Sequence, residues 1–176
     1  MRAHERLLWF RRLALAGAVL AAAVVVLGAW VRLTAAGLGC PDWPGCYGHA
    51  LPQASQEFGR DFAKALHEMV HRYFAGTLIL AISTLLAWAF VNRSDPAQPR
   101  AIPAALFLVV CLQGALGALT VTLRLTPMIV TAHLLGGLTT LGLLFWLSLS
   151  PERDNLSAAE RPLRAFAVAS RHGFLV

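Results

Sequence analysis

Charged residues are scarce in this chain. Asp, Glu, Lys and Arg make up 14% of its 176 residues, against roughly 25% in soluble domains. Hydrophobic residues reach 57%, and the mean hydropathy is +0.62. This shortage of charge excludes an ordinary soluble domain and indicates a membrane protein. The net charge of +6 does not indicate nucleic-acid binding, because the basic residues lie between the apolar runs and not on one face.

Apolar runs divide the sequence into membrane-crossing segments. A run needs roughly 20 helical residues to cross about 30 Å of hydrocarbon, and the runs long enough are Leu13–Val31, Leu66–Val91, Ala101–Leu123 and Met128–Leu149. The first exceeds a usual signal-peptide core, so it is predicted to be a retained helix. The sequence therefore predicts an all-α membrane protein with a four-transmembrane-helix bundle over residues 1–149. Residues 150–176 are predicted to be a cytoplasmic tail or the start of a second half.

Lys and Arg are distributed unevenly between the two ends of the predicted bundle. The positive-inside rule assigns the richer side to the cytoplasm, which places both termini there and the loop of about 33–65 in the periplasm. The predicted location is therefore a bacterial cytoplasmic (inner) membrane, crossed several times. The residues on the inner side are Arg2, Arg6, Arg11, Arg12, Arg93, Arg100, Arg153, Arg161, Arg164 and Arg171, and those on the outer side are Arg32, Arg60, Lys64, Arg72 and Arg124.

Cysteine is rare, with three residues in the chain. Cys40 and Cys46 lie six apart in a stretch rich in glycine and proline, which favours tight turns. An oxidising compartment favours a disulfide between them. A zinc site is the weaker alternative, because it would need more ligands than the nearby His49 supplies. Whether that pair is structural or redox-active stays open. Cys111, alone in the third run, is predicted to be a small buried apolar residue.

Acidic residues are absent from the four apolar runs apart from Glu68, which lies among His67, His71 and Arg72. Carrying charge into hydrocarbon costs roughly 2.5 to 3.5 kcal/mol, so packing alone does not explain this segment. His133 in the fourth run lies at a similar distance from its predicted helix start. Two imidazoles at matching depth on two helices are suited to clamp a metal or a haem iron.

Two other interpretations of these residues stay open. His67, Glu68 and His71 form H-E-x-x-H, the helical signature of zinc metalloproteases, in which the glutamate activates water. That chemistry needs a third ligand, for which His133 is the candidate. A non-catalytic haem or quinone protein, passing electrons to the cysteine pair, is the other alternative, although a C-x-x-C motif is missing.

Several motifs, read together, resemble the haem A synthase family over residues from about 20 to 146. They are Arg32-Leu33-Thr34, Cys40-Pro41-Asp42-Trp43-Pro44, Glu68-x-x-His71-Arg72, Gln113-Gly114-x-x-Gly117 and Pro127-x-x-Val130-Thr131-x-His133. The resemblance implies a haem-binding helix bundle that oxidises the C8 methyl of haem O to the formyl of haem A, for cytochrome oxidase biogenesis. Haem O would be substrate and haem A product, with haem b as a further bound form.

The resemblance also assigns roles to particular residues. It implies that His71 and His133 bind the haem iron and that Glu68 is the catalytic carboxylate, and it leaves His67 without a role. Arg32 and Arg72 are candidates to pair with haem propionates, although anchoring at the membrane surface explains Arg32 equally well. Implied partners are membrane lipid, a haem O synthase and a redox donor. Family members usually have eight helices in two similar halves, so a homo-dimer, a short four-helix form and a truncated, inactive product are all open.

Overall fold

The computed structural model describes residues 3–52, 61–96 and 98–149. The helices within these ranges are α1 (Ala3–Leu33), α2 (Asp61–Val91), α3 (Ala101–Thr122) and α4 (Pro127–Leu149). All four are long and apolar enough to cross a membrane, which confirms the predicted bundle of four transmembrane helices. The side of the membrane on which the termini lie stays a prediction, as does the division into domains, because 150–176 lies outside the described residues.

Two helices begin before the apolar runs that predicted them. α1 begins at Ala3 and not at Leu13, and α2 begins at Asp61 and not at Leu66. Hydropathy marks only the part of a helix that hydrocarbon surrounds, so polar turns that continue the helix beyond it leave no apolar signal. The mixture of charges and glycine in residues 50–65 predicts a surface helix there. Residues 53–60 lie outside the described residues, and residues 61–65 are the first turn of α2.

Each helix packs against two neighbours, in the ring order α1, α2, α3, α4 and back to α1. At the end of the bundle that holds the N-terminus of α1 and the turn at residues 92–100, the helices meet in a closely packed apolar cluster. We call this end the core half. Its fully buried large side chains are Phe10, Ile82, Leu85, Leu106, Leu144 and Leu147.

Polar contacts fasten the helix ends of the core half. Arg6 forms a salt bridge of 3.3 Å with Asp95 in the turn between α2 and α3. Arg11 donates from Nε to the backbone carbonyl of Ser148, at 3.0 Å, near the end of α4. These contacts tie the start of α1 to both of its spatial neighbours at this end of the bundle.

The opposite end, which we call the loop half, carries the turn at residues 123–126 and the cysteine loop. Arg124 and Leu125 have positive φ angles of 48° and 59°, and the Leu125 N–H donates to the Thr120 carbonyl at 2.8 Å, which ends α3 sharply. Pro127 then begins α4, a position where proline is favoured because its missing N–H would have no partner. The Leu125 side chain lies against Gly37, so the cysteine loop reaches over this turn.

The outward faces of the helices are apolar. Large hydrophobic side chains such as Val19, Leu80, Leu108 and Trp146 are more than half exposed, as expected where lipid replaces water. Cys111 is also exposed, so the prediction that it is buried is wrong. A thiol behaves as a small apolar group, and a lipid-facing position suits it as well as a packed one.

Candidate functional site

The cysteine loop is docked on the first turns of α2. Cys40 and Cys46 form a disulfide, as the sequence predicted, and both are fully buried against Ala65 and Met69. A Cβ built on Gly39 would lie 2.7 Å from the backbone nitrogen of Ala65. Because backbone atoms cannot move aside cheaply, only glycine allows the loop to approach α2 this closely.

A hairpin closes the loop after the disulfide. Cys46 and His49 exchange backbone hydrogen bonds of 2.9 and 3.1 Å, and Tyr47 and Gly48 between them have positive φ angles of 53° and 76°, typical of a type I′ turn. The Asp42 carboxylate accepts the Tyr47 and Gly48 N–H groups at 2.6 and 2.7 Å. These bonds, that from Gly48 above all, hold the pKa of Asp42 below its ordinary value of 3.8.

An ion pair on α2 connects the helix to this loop. Glu68 is 4% exposed, and its Oε2 accepts the Cys40 N–H at 3.0 Å, while Arg72 donates to its Oε1. The other guanidinium nitrogen of Arg72 donates to the carbonyls of Asp42 and Gly45 at 2.9 and 2.6 Å. Loop, carboxylate and guanidinium thus form one hydrogen-bonded unit. The predicted catalytic carboxylate is therefore held by the loop, and the fork of Arg72 is occupied by protein groups.

His71 and His133 each lie against a glycine of a neighbouring helix. A Cβ built on Gly28 of α1 would lie 3.1 Å from Cε1 of His71, and one built on Gly117 of α3 would lie 3.6 Å from Cε1 of His133. The Nδ1 atoms of both imidazoles are buried and have no hydrogen-bond partner among the described residues. Glycine at these two positions therefore makes the space in which the rings sit.

The two imidazoles lie at nearly the same depth. A contact between α1 and α4 fixes the register, since a Cβ on Gly137 would lie 3.7 Å from the Val25 side chain. Gly28, which the His71 ring contacts, and His133 lie three and four residues from that contact toward the loop half. At 1.5 Å per residue these offsets are about 4.5 and 6 Å. Their helices, α2 and α4, are diagonal in the ring.

Gln113 is a member of this region that sequence reasoning did not single out as a site residue. It is buried on α3, and a Cβ built on Gly136 would lie 1.9 Å from its Nε2. The side chain thus lies directly on the backbone of α4. Its amide, which suggested a hydrogen bond between helices, forms none with the described residues. The feature of the sequence that could have identified Gln113 as a site residue is that it is a lone amide within an apolar run.

The remaining predicted residues lie toward the membrane surface. The Arg32 side chain is exposed at the end of α1. The His67 ring stands edge-on to Trp30, with centroids 6.3 Å apart, beside an apolar groove of about 310 Å³ between α1 and α2. In the described part of the chain no three His, Cys, Asp or Glu side chains come together as a metal site, so His67 and His71 gain no third zinc ligand there.

Comparison with known proteins identifies the family of this chain. The family model for COX15-CtaA, described as cytochrome oxidase assembly protein, matches residues 11–176. The chain belongs to the COX15-CtaA family. A protein of Shewanella oneidensis named Heme A synthase is 38% identical to this COX15-CtaA chain over 173 residues, covering 92% of the chain and 51% of that protein. A Heme A synthase of Symbiobacterium thermophilum is 34% identical over 127 residues, covering 69% of the chain and 38% of that protein.

A third relative carries a different name. The Protoheme IX farnesyltransferase of Thermus thermophilus is 35% identical to this COX15-CtaA chain over 89 residues, which are 49% of the chain and 14% of that protein. The chain thus spans about half the length of the Shewanella relative and less of the other two. No solved structure matches it.

Proposed function

We propose that this chain is the haem-oxidising part of a haem A synthase, an oxidoreductase that converts the C8 methyl of haem O to the formyl of haem A. One observation carries the proposal. His71 and His133 lie at nearly the same depth on diagonal helices, each against a glycine and each with an unsatisfied buried Nδ1. Neutral imidazole is a preferred axial ligand of haem iron. Family membership and relatives named Heme A synthase support the same reaction.

The residues present fit a haem better than a zinc ion. Buried polar atoms in proteins are nearly always hydrogen-bonded, so the buried Nδ1 atoms of His71 and His133, which like that of His67 have no partner among the described residues, favour a ligand nearby. His71 and His133 would hold the haem, each by an imidazole nitrogen bound to its iron. The zinc-protease alternative would instead need a third ligand beside His67 and His71, and among the described residues no third His, Cys, Asp or Glu side chain joins them.

When bound, the haem would supply the redox-active iron and the methyl group that is oxidised. The chain would supply position and proton handling. Glu68 lies one turn from His71 on α2, and the Cys40 N–H and Arg72 fix its carboxylate in place. Its Oε2 accepts a single hydrogen bond and keeps a lone pair. We assign this atom the role of proton acceptor as the methyl group is oxidised.

The two arginines separate into different roles. Arg72 donates to Glu68 and to carbonyls of the cysteine loop, so we assign it to holding the loop on α2. Arg32 is exposed at the loop half, and a guanidinium there is suited to a bidentate contact with a haem propionate. We therefore keep Arg32 as the proposed propionate partner.

The proposed partners follow from the substrate. Only 14% of the Thermus farnesyltransferase is similar to this chain, and a related segment within a protein of that name supports delivery of haem O by a haem O synthase in the same membrane. A redox donor must supply electrons. Because the relatives come from bacteria, we place the chain in a bacterial inner membrane. We also propose a homo-dimer or larger homo-oligomer through the apolar outer faces.

The reaction is tested by extracting pigments from membranes that contain the chain, haem O, oxygen and a reductant. Formyl haem is expected with the wild type and is expected to disappear in His71→Ala and in His133→Ala, each of which would hold the haem through one imidazole only. Glu68→Gln is expected to keep bound haem O but to make no formyl haem. His67→Ala is the matched control, since it removes an imidazole one turn away without removing a proposed ligand.

Two failures have different meanings. Haem bound without any formyl product would contradict the catalytic role. The haem site would remain, and the alternative of a non-catalytic haem or quinone electron-transfer protein would be favoured. Absence of any haem, with zinc lost on His67→Ala, would instead favour the protease.

A further inference from the structure

Gln113 is the most unusual buried polar residue of the bundle. It is 9% exposed in the middle of α3, and no described residue hydrogen-bonds its amide. The side chain is largely buried, but its amide nitrogen and oxygen keep some accessible surface, and within a membrane no solvent is at hand to bond a polar group that the protein leaves unpaired. Such a group in a folded protein calls for a ligand or a bound water.

Gln113 and His133 both lie where α3 and α4 face each other. On α3, Gln113 and Gly117 are four residues apart, and on α4, His133 and Gly136 are three apart, so each pair shares one helix face. The His133 ring lies on Gly117, and the Gln113 amide lies on Gly136. The amide is therefore one helical turn beneath the imidazole, on the side away from the cysteine loop.

The polar neighbours of this amide satisfy themselves within their own helices. The Thr120 hydroxyl donates to the Gly117 carbonyl at 2.6 Å, and the Thr140 hydroxyl donates to the Gly136 carbonyl at 2.9 Å. Gln113 differs from both because its side chain forms no bond within its own helix. Its amide can offer two N–H donors and one acceptor oxygen to a ligand bound beside His133.

We propose that Gln113 is a specificity-determining residue whose amide hydrogen-bonds an oxygen substituent at the edge of the bound porphyrin. The proposal rests on the haem site proposed above and deepens it. Haem O and haem A both carry a hydroxyl on the farnesylated side chain, and haem A adds the formyl oxygen. Protohaem carries neither, while all three share the propionates. A contact with one of the distinguishing oxygens would let the chain tell its substrate or product from protohaem.

Titrations of the purified full chain in lipid nanodiscs test this, with protohaem, haem O and haem A added separately and the Soret band followed. Gln113→Met keeps the length of the side chain and removes the amide. It is expected to weaken binding of an oxygen-bearing haem about tenfold and to leave protohaem unchanged within about twofold. Equal weakening of haem O and haem A would identify the side-chain hydroxyl, and weakening of haem A alone would identify the formyl oxygen.

Two further variants test whether the effect comes from the Gln113 amide. Gly136→Ala pushes the amide aside without removing it and is expected to give the same pattern to a lesser degree. Thr140→Val, one turn deeper on α4, removes a hydroxyl already bonded within its helix and is expected to change none of the three affinities.

Two results would overturn the proposal. Equal weakening of all three haems by Gln113→Met would mean that the amide acts only on the fold or on the shared propionates, and no weakening of any would mean that it has no ligand role. A wild type that binds none of the three haems would instead overturn the proposed function itself.

Discussion

The two halves of this bundle bury different kinds of side chain. In the core half, large aliphatic side chains and Phe10 fill the space between the helices and have no contact with solvent. In the loop half, polar side chains also lie between the helices, and three of them, His71, Gln113 and His133, lie on glycines of neighbouring helices. The disulfide-closed loop covers this half and is tied to α2 by hydrogen bonds.

This difference indicates that the core half holds the helices together and that the loop half carries the groups available to a ligand. Close packing of matched side chains gives the core half a single arrangement, and it needs no ligand to be complete. The loop half is held by directional bonds to the loop, and it leaves buried imidazole nitrogens without partners among the described residues. Substitutions in the first half should therefore change stability alone, whereas substitutions in the second should change ligand binding or loop docking.

The largest effect is expected where a charge is left alone in the loop half. The side chains of Arg72 and Glu68 are 13% and 5% exposed, so Arg72→Gln would leave Glu68 buried without its cation. Removing one partner of such a pair costs roughly 3 kcal/mol, measured as the free energy of unfolding in mixed micelles. Arg124→Gln, an exposed arginine at the same end, should change little. If a second substitution, Glu68→Gln, recovers none of the loss, the ion pair is not its cause.

Truncating the core half should lower stability without touching the site. Leu85 is fully buried, and Leu85→Ala is expected to cost about 2 kcal/mol. This is at the lower end of the range for soluble proteins, because lipid surrounds the separated helices and only packing contacts are lost. The haem affinity of the folded fraction should stay the same within twofold. If the haem affinity of the folded fraction changed by more than twofold, the distinction between the two halves would be contradicted.

A single methyl group at Gly39 should undock the loop. The added Cβ would lie 2.7 Å from the α2 backbone, and overpacking of this kind costs roughly 1 to 2 kcal/mol. Cleavage of the loop by a protease, at a rate higher than in the wild type, is the measurement. Gly142→Ala is the matched control, because a Cβ there meets nothing within 4 Å and alanine favours the helix. Equal cleavage rates in the two variants would contradict the docking.

Acid should loosen the hairpin of the loop slightly. The pKa of Asp42 is held below 3.8 by the N–H groups of Gly48 and Tyr47, so its contribution is fully present above that value and is lost as the pH falls below it. Protease sensitivity of the loop should therefore rise below about pH 4 in the wild type. Asp42→Asn should show a smaller rise, and an identical pH profile in both would assign the acid sensitivity to other groups.

Much of the fold could be predicted from hydropathy, because lipid imposes long apolar helices. The turns at 92–100 and 123–126 also follow from proline positions and short spacing. The helix starts could not be read in this way, since Asp61 to Ala65 are helical but not uniformly apolar. Depth measured from the predicted helix starts was therefore an unsound basis for pairing His71 with His133, and the Val25–Gly137 contact supplies a better one.

The site could be predicted only in part. The types and spacing of Glu68, His71 and His133 pointed to ligand chemistry, and the cysteine spacing predicted the disulfide. Sequence gives no orientation of a guanidinium, so it did not show that Arg72 is bonded to the loop. Nor did it show that Gln113 lies on Gly136, because that contact depends on the register of two helices that meet only in the fold.

Electron paramagnetic resonance of the ferric haem-loaded chain tests the pair of imidazoles most directly. A haem held by His71 and His133 predicts a low-spin signal in the wild type that becomes high-spin in His71→Ala and in His133→Ala and returns when imidazole is added. His67→Ala should keep the low-spin signal. A low-spin signal that survives both single replacements would contradict the proposed ligand pair.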